Sequence, residues 1–137
     1  MLEVIMAAAA LTATAAHTET LSHRDRAIDL HYRAQIELST MTKGAHVPTR
    51  GLERACHWEA RVIVERQRAD GALAQRLPVA KEANGTTHGA CHKDNIHVQR
   101  VAARALGDLN HALREAALAD RPTVLAEMEA AHPRSTQ

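Results

Sequence analysis

Apolar residues along this chain recur at a spacing of three to four, the repeat of an α-helix. Residues 2–18 are rich in Ala, the strongest helix former, and predict a first helix. Ser22 with Asp25 resembles a capping box, restarting or continuing a helix to about Met41, where Lys43-Gly44 is a stop signal. On that wheel Ala27, His31, Ala34 and Leu38 share a face. Arg26, Asp29, Arg33 and Glu37 lie opposite, with Asp29 and Arg33 at pairing distance. Residues 44–49 read as a loop, with Thr49 as N-cap and Glu53 in the first turn of a helix from Arg50 to Ala69. In that helix Leu52, Cys56 and Ile63 point one way, and Arg54, Trp58, Arg61, Glu65 and Arg68 point the other.

Asp70-Gly71 marks a break, followed by a short helix from Ala72 to Leu77 that Pro78 ends. Residues 84–93 (NGTTHGACHK) read as a loop. Asp94 or Asn95 caps a helix running to Ala119, with an apolar arc of Val98, Val101, Ala102, Ala105, Leu109, Ala112, Leu113 and Ala116. Gly107 within it suggests a close helix crossing. Asp120-Arg121-Pro122 closes that helix and opens a last short one, docked by Val124, Leu125 and Met128 and stopped by Pro133. Residues 133–137 read as a frayed tail. No segment reads as a strand. The expectation is one all-α domain over 1–137, a bundle of four or five helices.

Composition sharpens this picture. Phe is absent and there is one Trp and one Tyr, so a core built mainly on Ala gains burial by self-association. The net charge of +1 excludes a strong field for nucleic acid or for an acidic surface. Arg exceeds Lys and Ala is abundant, a bias common in GC-rich bacterial and phage genomes. The uncharged run from Val4 to Thr18 is short of the roughly 20 residues of a membrane span, so no membrane partner is expected. It has the apolar part of a secretory signal, but its n-region holds Glu3 and no Lys or Arg. The expected location is therefore cytoplasmic, or secreted or periplasmic if residues 1–16 are cleaved.

Three groups of residues could carry chemistry. Cys56, with His57 beside it, and the loop residues His88, Cys91 and His92 are of the types that hold zinc in paired ligands, although their spacing fits no standard finger. No cofactor is expected outright; zinc is the one this cluster would suit. A Cys56–Cys91 disulfide is a competing reading. Arg54, Trp58, Arg61 and Arg68 form a stripe opposite the apolar face of their helix. It reads as intramolecular packing, a protein-binding face or a nucleic-acid contact. The segment Ala72–Ala83 resembles the turn of a helix-turn-helix, but Pro78 stands where glycine is usual and Asn84-Gly85 cuts the second helix short. His31, alone on an apolar face, reads as a hydrogen-bonded core residue. No nucleophile–base arrangement is legible.

The leading expectation is a non-enzymatic regulatory or accessory protein, dimeric, binding a protein partner or its own copy through the Arg54, Trp58, Arg61, Arg68 face. A metal-binding bundle using Cys56, His88, Cys91 and His92 is the second reading, and a nucleic-acid-binding regulator the third.

Overall fold

A computed structural model describes residues 6–47, 51–92 and 95–131, with side chains over 14–44, 54–92 and 95–131. It overturns the all-α bundle, since most of the described residues lie in a five-stranded antiparallel sheet and only two helices occur among them. The elements are β1 (Met6–His23), β2 (Arg26–Val47), β3 (Gly51–Arg68), β4 (Gln75–Arg76), β5 (Lys81–His88), α1 (Ile96–Leu106) and α2 (Leu109–Ala131). One antiparallel sheet runs β1-β2-β3, and β4 and β5 both pair with the far side of β3.

The alternation of side chains explains the sheet. From Ile28 to Thr40 every even-numbered residue of β2 is buried, including Leu30, Tyr32, Ile36 and Leu38, while the odd-numbered ones are exposed or half-buried. In β3 the same parity buries Cys56, Trp58, Ala60, Val62, Val64 and Arg66. A repeat of two puts all of these on one face. The segments expected as helices at 22–41 and 50–69 thus fall on the β1–β2 hairpin and on β3. The Ala-rich N-terminal run is strand from Met6, its helix propensity overridden by pairing with β2. The short helix expected at 72–77 contains β4, and the loop expected at 84–93 begins as β5. The helix-turn-helix likeness over Ala72–Ala83 is therefore lost. Arg24 and Asp25 carry φ of 49° and 63°, as the two-residue turn of a tight hairpin requires.

Only the C-terminal third is helical among the described residues. Val98, Ala102 and Leu106 of α1 and Leu113, Ala117, Val124 and Met128 of α2 cover the even-numbered face of the sheet. The single helix expected over 95–119 is split at Gly107, whose φ of +76° is a conformation that glycine adopts without a Cβ clash. The break expected at 120–122 is absent, and Pro122 lies inside α2. Thr49, Asp94 and the 133–137 tail lie outside the described residues. No helix is long and apolar enough to cross a membrane among the described residues.

Candidate functional site

The residues expected to form a partner-binding stripe do not share a surface. Arg54 is exposed, while Trp58 is 5% exposed and belongs to the hydrophobic core. Trp58 lies across Gly85 of β5, where a Cβ would come within 2.7 Å of the indole. Arg61 has odd parity, so it faces away from the helices and is exposed. Arg68 is held by Asp70 at 2.6 Å and Glu127 at 3.4 Å. A strand sends alternate residues to opposite faces, which scatters a set chosen at helical spacing.

Of the four metal candidates the structure brings Cys56 and Cys91 together, as the competing disulfide reading has it. Cys56 and Cys91 are joined as a disulfide across 35 residues, so neither offers a thiolate. His88 pairs in register with Ala55, one residue off the parity of Cys56, and His92 is exposed. Among the described residues no group of three or more His, Cys, Asp or Glu is placed to hold a metal ion. His31, read as a core residue, is exposed on the open face and lies 3.2 Å from the Thr18 hydroxyl.

The sheet face under the helices contains instead a buried ionic cluster. Arg66, 1% exposed, donates from Nη1 to both carboxylate oxygens of Asp120 at 2.8 and 2.7 Å. Its Nη2 donates to both oxygens of Glu127 at 2.8 Å. The Tyr32 hydroxyl donates to Asp120 Oδ2 at 2.9 Å. Burial pushes the Arg66 pKa down, and the bonds and charges of Asp120 and Glu127 more than reverse this, so the guanidinium stays charged. Burial, followed by the bond to Asp120, drives the Tyr32 phenol well above its ordinary range. The cluster fastens α2 to β2 and β3.

A second set of contacts fastens α2 to β1. Arg121 Nε meets Glu19 Oε1 at 3.1 Å, with His17 Nε2 at 3.2 Å from Oε2. Glu129 takes His23 at 2.7 Å and Arg24 at 2.8 Å. Burial raises the Glu19 pKa, but bonds from Arg121 and His17 outweigh it and hold the carboxyl below its ordinary value. A carboxyl depressed in the folded state stabilises above its unfolded pKa, and that contribution is lost as pH falls through the folded one. Arg121→Gln is thus expected to move Glu19 titration upward and reduce the acid-side loss of stability. Urea midpoints followed from neutral pH into acid would show this, and superimposable acid limbs would refute it.

These clamps hold β1 as the outermost strand. Its inner side keeps continuous register with β2 from Thr14↔Gln35 to His23↔Arg26, with irregularities nearer the start. Its outer side carries no paired strand among the described residues. No charged residue occurs from Val4 to Thr18, and β1 contains no Pro. Charges and prolines are the usual guards of a sheet edge; the stretch Met6–Thr18 of β1 has neither, and the strand's one carboxylate, Glu19, is held by Arg121 of α2.

At the opposite edge Leu77 N donates to Val64 O at 2.9 Å and Ala80 N to Val62 O at 3.0 Å. Pro78 and Val79 are left to bulge from the ladder, as an excess of residues on one strand requires. Between this bulge and α2 lies a half-open cleft of about 380 Å³ whose walls include Leu77, Val79, Ala112 and Ala116, and which Asp120 also lines.

Sequence reasoning missed Arg66, Asp120, Tyr32, Glu19 and the β1 edge. A charged residue at an even position directly after Val62 and Val64 is a detectable signal, because a buried charge demands a partner. It is visible only once the repeat is read as two. Comparison with known proteins finds no matching family, no matching curated protein and no matching solved structure.

Proposed function

We propose that this chain is a non-enzymatic binding protein that engages a protein partner by strand addition along the outer edge of β1. The observation that carries this is the outer edge of β1 over Met6–Thr18, free of charge and proline, unpaired among the described residues, in a strand braced by α2 through Glu19 and His23. Such an edge presents unpaired N–H and C=O groups to another extended segment, and main-chain hydrogen bonds supply the affinity. A second copy of the chain suits it, because an uncharged stretch meets its own copy without like-charge repulsion. The Arg54, Trp58, Arg61, Arg68 stripe has no part in this reading.

Thr14 and Ala16 are exposed on β1, where lysines act as edge guards. Thr14→Lys with Ala16→Lys is expected to keep the circular dichroism spectrum and melting temperature while reducing self-association at least tenfold. Light scattering after gel filtration of the full chain reads this. Equal association of the variant and the parent would overturn the proposal. The Cys56–Cys91 disulfide favours an oxidising compartment over the cytoplasm as the place of action.

A further inference from the structure

We infer that the cleft between the Pro78–Val79 bulge and α2 is a binding site for a small amphiphilic amine, an ammonium group on a short apolar body. Its size lies at the small end of ligand pockets. Its walls are apolar and largely short side chains, among them Ala112 and Ala116 one helical turn apart, facing Leu77 and Val79. The charged residues lining it are Glu115 and Asp120, both acidic, and no Lys or Arg is among them. Charge complementarity therefore selects a cation.

Asp120 is 7% exposed and has acceptor capacity left. Its Oδ1 receives one bond, from Arg66, while Oδ2 receives two, from Arg66 and Tyr32; each carboxylate oxygen can accept two. Arg66 is shared between Asp120 and Glu127, and Arg68 between Glu127 and Asp70, so this network of two cations and three carboxylates is net negative. Glu115, at the exposed side, meets His111 at 3.0 Å and can turn to an entering ammonium. Thr123 adds a hydroxyl to the lining. A neutral body among the alanines with a charged head at Asp120 and Glu115 satisfies both halves of the cleft.

The experiment uses benzylamine, benzyl alcohol and benzoate as probes on the full chain, followed by amide shifts in NMR. Benzylamine is expected to shift signals of residues 77–80 and 112–123, benzyl alcohol to bind more weakly, and benzoate not to bind. Glu115→Gln should weaken benzylamine by about threefold, the scale of one exposed charge contact, with melting unchanged. Ala119 lines the cleft and is exposed, so Ala119→Leu should fold normally and block the probe. Benzoate binding as well as benzylamine, shifts elsewhere on the surface, or undiminished binding in folded Ala119→Leu would each overturn the assignment. None of these outcomes depends on the β1 edge.

Discussion

Arg66→Ala is expected to lose roughly 3–5 kcal/mol of folding stability, the scale of breaking a buried ion pair from one side. The substitution removes the donors of four short hydrogen bonds at once, two to Asp120 and two to Glu127. Asp120 keeps only the Tyr32 hydroxyl and remains enclosed as an anion. Glu127 is 37% exposed and retains Arg68, so most of the penalty falls on Asp120. A domain of this size has about 5–15 kcal/mol in total, so the variant should sit near its unfolding threshold. Removing both ends together separates charge from packing. Arg66→Leu with Asp120→Leu should recover much of the loss, because apolar replacement of a buried pair is often neutral. Urea unfolding by circular dichroism measures both. A cost below 1 kcal/mol for Arg66→Ala would mean that the guanidinium does not sit between these carboxylates.

Trp58→Ala is expected to cost about 3–5 kcal/mol, the usual range for truncating a core aromatic. The indole fills the space over Gly85, a glycine in mid-strand with no side chain of its own to pack. In Gly85→Ala the new methyl would stand 2.7–2.9 Å from three indole atoms, so the ring or the strand must shift, at a cost of about 1–3 kcal/mol. Trp58 is the only tryptophan, so fluorescence reports its surroundings directly: blue-shifted in the parent, red-shifted in folded Gly85→Ala. Full stability in Trp58→Ala, or parental emission already at the wavelength of a water-exposed indole, would place Trp58 on a surface instead.

How much of this was legible in the sequence depends on which repeat is counted. Ala27, His31, Ala34 and Leu38 do fall on one helical face, and Asp29 with Arg33 has helical spacing. Counted by twos, however, Ile28, Leu30, Tyr32, Ala34, Ile36 and Leu38 form an unbroken apolar series with Asp29, His31, Arg33 and Gln35 between them. The helical count needed to set aside Ile28, Leu30 and Tyr32, three of the bulkiest side chains in the segment. In the 50–69 segment it made Trp58 seem stranded opposite the apolar face, whereas by twos Trp58 stands in line with Cys56, Ala60, Val62 and Val64. The Ala-rich start of β1 has no alternation to read, and helix propensity is a weak prior against a neighbouring strand.

The helical character of the C-terminal third was legible because Val98, Ala102, Ala112 and Leu113 obey a helical repeat, but the division between helices reads as lying at Pro122 and falls at Gly107. Asp120 interrupts that stripe and reads locally as a stop; its meaning comes from Arg66, 54 residues away. Such a pairing is a property of the folded sheet and helix together and leaves no local trace. The β1 edge is of the same kind, since a strand becomes an edge only through the order of its neighbours.

Hydrogen exchange along β1, followed from dilute to concentrated protein, reads out whether the edge of this strand pairs with another copy. Amides of β2 and β3, flanked by strands on both sides, should be slow throughout. Alternate amides of β1 over residues 14–18 should exchange fast when dilute and become protected as copies associate, returning to fast exchange in Thr14→Lys with Ala16→Lys. Association that leaves those β1 amides fast, or β1 amides already as slow as those of β2 in the dilute monomer, would contradict that pairing.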